Sequence, residues 1–242
     1  IMKTKSIAII NQKGGSGKST LTMLIALALA SDKSKVLVID CDPQGGLSSF
    51  LIDPADNKPG LFDYLGKFKK FKEVIYPVSR GGIDFDLIPA DYRLDSISSG
   101  LDPFALKRSL KDIKDYNYIV LDNPPTVQGI SRASAIFADK IIIPAEISAP
   151  ALGPTLYTLK SLEEIEKQGR VLLIGYKEPK ENGGGYIADL TRRFNTELGS
   201  AIAGSIPRTV ATAKAVADPA TAWTDGKIEK LLKPLREIVE AI

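Results

Sequence analysis

Histidine is absent from the 242 residues, and cysteine occurs once, at Cys41. Without histidine there is no imidazole base and none of the usual zinc sites. A lone cysteine closes no internal disulfide and offers an iron–sulfur cluster no paired thiolates, so a reducing cytoplasm is expected. No apolar run nears the roughly 18 residues that span a bilayer, and the apolar start of the chain is too short for a secretory leader. Neither sign of charge dominates: Lys and Arg total 32, Asp and Glu 29, and the net surplus of base lies beyond residue 166. That basic bias is weaker than a dedicated nucleic-acid reader usually carries. An apolar content of 44% over this length suits one large α/β domain spanning residues 1–242.

What the sequence does contain is an alternation of apolar β-branched runs with helical patterns. Strands are expected at 6–10, 35–39, 84–88, 118–121, 140–143, 171–175 and 203–206. Most of these runs are continuous rather than alternating, as strands covered on both faces are. Helices are expected at 18–30, 103–111 and 152–167. The fold class is therefore α/β, a mostly parallel twisted sheet with helices on both faces. The turn-rich run 178–185 reads as a surface loop.

Between the first strand and the first helix stands Lys13-Gly14-Gly15-Ser16-Gly17-Lys18-Ser19-Thr20. Strand, glycine loop and helix in that order make a phosphate-binding loop. Glycines let backbone N–H groups approach phosphate oxygens, and the helix adds its positive end. Lys18 is placed to reach the β- and γ-phosphates, and the Ser19 hydroxyl to ligate Mg²⁺. Lys13 is unusual: preceding the first glycine, it is poorly placed to fold back on its own phosphates. It is positioned instead to reach a nucleotide held by a second subunit, as an arginine finger does. Two further strands end in acids, at Asp40-Cys41-Asp42 and at Asp122-Asn123. Carboxylates at the carboxyl ends of parallel strands face the ligand crevice and can hold Mg²⁺ directly or through its waters. Cys41, between two of those acids, reads as a small buried residue.

These motifs together resemble the deviant Walker ATPases of the ParA/Soj/MinD group. The likeness extends to Ile88-Pro89-Ala90 with Leu94, to Ile143-Pro144 with Ala151-Leu152-Gly153, and to Ile206-Pro207-Arg208. The resemblance implies an ATP- and Mg²⁺-dependent sandwich dimer. It implies that Lys13 contacts the partner's nucleotide and that residues Gly14 to Thr20 hold phosphate. It makes Asp42 the residue that positions the hydrolytic water. Asp40 and Asp122, with Ser19, would support Mg²⁺ and its water shell, and Pro207 and Arg208 would lie near the base. The choice of ATP over GTP is implied by the resemblance alone, since Leu173-Ile174-Gly175-Tyr176-Lys177 departs from the family's base-binding segment. Asn123 departs from the small residue common in its slot.

The resemblance further implies a slow ATPase that dimerises on ATP, coats DNA without sequence preference on the nucleoid, and segregates chromosomes or plasmids. A ParB-like partner would stimulate its hydrolysis. Because the chain begins almost at the phosphate loop, no separate N-terminal DNA-reading domain is expected. In that family the DNA face is built from basic residues of the last third, making Arg192, Arg193, Lys230 and Lys233 the candidates. The alternative is a MinD-like, membrane-cycling regulator of division-site placement, which ends in an amphipathic helix. Residues 227–242 carry such a stripe, but it is interrupted by Pro234 and has acids beside its lysines. Packing against the domain is therefore expected of it, and membrane binding is not. In Lys67-Phe68-Lys69-Lys70-Phe71-Lys72, a helix burying both phenylalanines is expected.

Overall fold

A computed structural model describes residues 4–53, 56, 58–174, 185–206 and 229–242. In chain order its elements are β1 (Lys5–Ile9), α1 (Lys18–Ala30), β2 (Val36–Asp40), α2 (Gly46–Leu51), α3 (Leu61–Leu65), β3 (Tyr76–Arg80), β4 (Ile83–Ile88) and α4 (Asp95–Ser98). There follow α5 (Ala105–Leu110), β5 (Tyr118–Asp122), α6 (Ile130–Phe137), β6 (Lys140–Glu146), α7 (Ala149–Glu163), β7 (Gly169–Ile174), α8 (Tyr186–Leu198), β8 (Ile202–Ile206) and α9 (Glu229–Ala241).

The eight strands form one sheet in the order β3-β4-β2-β5-β1-β6-β7-β8. Every neighbouring pair is parallel except β3 with β4. β2 and β5 are buried along almost their whole length, which is why they read as unbroken apolar runs. One face of the sheet, through Ile7, Ile9, Val38, Val120 and Ile142, packs against α1, α2 and α9. The other face packs against α3 and α5 to α8. α1 is buried on all sides, from Leu21 to Leu29, as befits a helix that is apolar all round.

All seven expected strands are present, and an eighth, β3, was not legible. Pro77 weakens its strand signal, yet an edge strand tolerates a proline whose missing N–H faces outward. The expected helix 103–111 narrows to α5. The one expected at 152–167 begins earlier, where Pro150 fits the first turn of α7. The expectation of a helix over Lys67–Lys72 is corrected. α3 ends at Leu65, Lys67 adopts a left-handed φ of 60°, and Phe68 lies 68% exposed. Residues 175–184 and 207–228 lie outside the described residues, and with them most of the expected 178–185 loop, the 175–177 departure, Pro207 and Arg208.

The C-terminal stripe packs inward as expected. Leu231, Leu232, Leu235 and Val239 of α9 are buried against α1. Pro234 is accommodated inside the helix on its exposed side. At the far end the Lys140 Nζ donates to the carbonyls of Val239 (2.9 Å) and Glu240 (3.1 Å), placing a cation where the helix dipole is negative.

Candidate nucleotide site

β1, β2 and β5 lie side by side, so their three carboxyl ends bring the motifs together. The glycine loop leaves β1 and turns into α1 through left-handed residues at Gly15 (φ 69°) and Gly17 (φ 83°), a conformation that favours glycine. Nothing lies within 4 Å of where a Cβ would stand on Gly14 or Gly15, so the loop is open at these two residues. The loop's entry is set by a residue that sequence reasoning passed over. Asn11 is fully buried; its Nδ2 donates to the Pro144 carbonyl (2.8 Å), and its Oδ1 accepts the Lys13 N–H (2.9 Å).

The two lysines behave differently. Lys18 is only 7% exposed, and its Nζ donates to the Lys13 carbonyl at 3.3 Å, which stretches it along the inside of the loop. Burial lowers its pKa, opposed by the charges of Asp122 and Asp42. Lys13 turns the other way: its Nζ lies 3.5 Å from the Ser148 hydroxyl at the start of α7.

The carboxylates also divide. Asp40 is fully buried with both oxygens engaged. Oδ1 accepts from the Asp42 N–H (3.0 Å), and Oδ2 from the Ser48 N–H (2.9 Å) and hydroxyl (2.6 Å). Ser48 in turn receives the Ala90 N–H at 2.9 Å, so Asp40 ties β2 to α2 and to the end of β4. Asp122 accepts from the Thr22 hydroxyl through Oδ1 (3.1 Å), while its buried Oδ2 has no hydrogen-bond partner among the described residues. Asp42 is half-buried at the mouth, with Oδ1 held by the Gln44 N–H at 3.0 Å. Burial also raises the Cys41 thiol well above its usual pKa, reinforced by the three aspartates, so it stays protonated and inert. Asn123 closes the site's floor, its Nδ2 shared between the carbonyls of Ile9 (3.1 Å) and Leu121 (3.2 Å). The amide donates to both strand ends at once, while its Oδ1 is buried without a partner among the described residues.

The set fits a magnesium nucleotide. The loop is open, the Ser16 hydroxyl is buried without a partner, and an unpaired carboxylate oxygen on Asp122 lies beside α1. Of the acids, Asp122 leaves Oδ2 without a hydrogen-bond partner among the described residues, whereas both oxygens of Asp40 are engaged.

Asp122 carries a testable signature. Burial, with the charge of Asp40 next, pushes its pKa up to about 7, against an unfolded value of 3.8. The folded chain thus holds a proton that the unfolded chain releases, and this group's contribution to stability is lost as pH rises from about 4 through 7. In Asp122→Asn that loss is removed. The nucleotide-free variant should gain on the unchanged chain between pH 5 and pH 8, with the larger advantage at the higher pH. Thermal melts at the two pH values check it; a gap that stays constant with pH would refute the assignment.

The four basic candidates lie on two helices, Arg192 and Arg193 on α8, Lys230 and Lys233 on α9. Arg192 and Arg193 are exposed on α8, where Arg192 pairs with Asp189. Lys233 is exposed on α9, and Lys230 precedes it by a turn in the same helix. α8 and α9 pack on opposite faces of the sheet.

Residues 4–173 match the AAA domain family AAA_31. The chain is 32% identical over 178 residues to Maintenance of carboxysome distribution protein A of Synechococcus elongatus, covering 69% of each. It is 32% identical over 170 residues to sporulation initiation inhibitor protein Soj of Bacillus subtilis, covering 67% of this chain and 66% of that one. Among solved structures, an ATP complex of a Cyanothece McdA variant superposes with a TM-score of 0.80 at 26% identity. That match covers 100% of this chain and 97% of the other.

Proposed function

Because the chain belongs to the ParA/Soj-type family of P-loop ATPases, we propose that it binds ATP with Mg²⁺ and then pairs with a second copy. The paired form would hold duplex DNA on the nucleoid of a cytoplasm without sequence preference. A ParB-like partner would stimulate an otherwise slow hydrolysis and so release it. Repeated cycles would segregate a chromosome or plasmid or position another cargo; carboxysome distribution is in the name of one relative.

The observation that carries this reading is the divergence of the two loop lysines. Lys18 lines its own cradle, while Lys13 leans out of it toward Ser148. A cation at the loop's mouth that does not serve its own phosphates is suited to those of a facing subunit. The rest of the site then has plain roles. Loop N–H groups and Lys18 would stabilise charge spread over the phosphate oxygens. Ser19, and Asp122 through water, would hold Mg²⁺, which would supply further positive charge to the phosphates. Asp42, at the mouth with Oδ1 fixed by Gln44, would accept a hydrogen bond from the attacking water and orient it.

A membrane-cycling switch calls for a free amphipathic helix, and α9 spends its apolar stripe on α1. Among the described residues no helix is long and apolar enough to cross a membrane.

The test is binding to random-sequence duplex DNA with ATP, with ADP and without nucleotide, across a salt series. Binding is expected with ATP alone. The logarithm of the constant should fall with that of salt by about 0.9 per phosphate contacted. No binding with any nucleotide would overturn the DNA arm, and ATP-dependent sedimentation with liposomes would favour the membrane alternative.

A further inference from the structure

The end of the sheet opposite the nucleotide, where the strands begin, carries a second recess, of about 620 Å³. It opens at the amino ends of β1 and β6, bounded by α5, the turn after it, and the end of α6. This volume lies within the range of roughly 300–1,000 Å³ typical of binding pockets. Its apolar lining includes Leu110, Ile113, Ile136 and Phe137, and its cations are Lys107, Lys111, Lys114 and Lys167.

The charge is only partly balanced from within, Asp139 acting on Lys167. Asp139 is the one acid in the lining, and its Oδ2 is taken by the Ser6 N–H (2.9 Å) and hydroxyl (2.8 Å). Lys107, Lys111 and Lys114 are exposed and make no ion pair with any described residue. The neighbouring Arg108, by contrast, is paired with Asp102. Lys167 is half-buried, held by its Nζ on the Ala138 carbonyl at 2.7 Å. Burial lowers its pKa; the charge of Asp139 opposes that shift and the charge of Lys107 adds to it.

From this apolar floor ringed by unpaired lysines, we propose that the recess docks an acidic, amphipathic segment of a partner protein. Apolar side chains of that segment enter the floor, and its carboxylates meet Lys107, Lys111 and Lys114. Several cations spread around one rim match a chain of carboxylates better than a single small anion. Duplex DNA is the poorer fit, being a wide charged rod with little apolar to bury. The site lies across the sheet from the phosphate loop and uses none of its residues, so it stands or falls independently of the nucleotide reading.

The probe is a fluorescein-labelled peptide of about 12 residues alternating Glu with Leu, titrated into the full chain and read by anisotropy. Saturable micromolar binding is expected, weakening with salt because the rim is exposed. The same peptide with Gln for Glu should bind at least about tenfold more weakly. The double variant Lys107→Glu/Lys111→Glu should lose about tenfold for the acidic peptide, with its melting and ATP hydrolysis unchanged. Hydrogen exchange should show peptide protection confined to residues 106–114 and 136–140. The proposal is overturned by absent saturable binding, by equal affinity in the double variant, or by duplex DNA displacing the peptide.

Discussion

Lys13→Ala is expected to bind ATP with near-normal affinity yet lose on the order of 10³–10⁵ of its partner-stimulated turnover, the range of a cation finger supplied in trans. Binding survives because Lys13 serves its own loop through its backbone. Its carbonyl receives Lys18, and its N–H is held by Asn11, and neither depends on the side chain. What the truncation removes within the chain is one contact to Ser148 at 3.5 Å, too long to matter for stability. The loss should therefore fall on the two-chain state. Light scattering with ATP and slow-hydrolysing analogues should show a monomer where the unchanged chain dimerises. A normal ATP-dependent dimer would sink the cross-subunit role.

Lys18→Ala acts one step earlier. Its ammonium is almost wholly buried beside Asp122 and Asp42, and it is the loop's main counter-charge to phosphate. Removing one partner of a buried ion pair costs about 3–5 kcal/mol, which is roughly 10²–10³-fold or more in affinity. Titration with a fluorescent nucleotide should show that loss, with dimerisation and turnover lost in consequence. Unchanged affinity would refute the assignment of the loop. The two variants separate cleanly: Lys18→Ala fails at binding, and Lys13→Ala fails only after it.

The contrast between these lysines also marks how far the sequence could be read. The loop was legible because its glycines, Lys18 and Ser19 are contiguous and their chemistry requires that order. The buried strands were legible because burial on both faces leaves an unbroken apolar run. Contacts between distant positions were not. Asn11 reaches Pro144, Ser48 joins Asp40 to Ala90, and Asn123 bridges Ile9 and Leu121; each depends on which strands the sheet places side by side. The division of labour between Asp40 and Asp122 was hidden for the same reason, since both are acids at strand ends and only their neighbours differ. β3 escaped because an edge strand needs little apolar pattern. Phe68 misled because its spacing from Phe71 suits a helix, whereas the chain turns at Gly66 and Lys67. The lysines of the second recess come from α5, the turn after it and the loop before β7, so no local pattern announced them.

The burial of α1 has a consequence during synthesis. α1 is complete at Ala30, yet α9, which covers part of its outer surface, begins at Glu229. At translation rates of about 5–20 residues per second, the intervening chain takes roughly 10–40 s to appear. Throughout that interval a mostly apolar helix, the same one whose first turn carries Lys18 and Ser19, lacks part of its cover. The nascent chain therefore leaves apolar surface of α1 uncovered until α9 has been made.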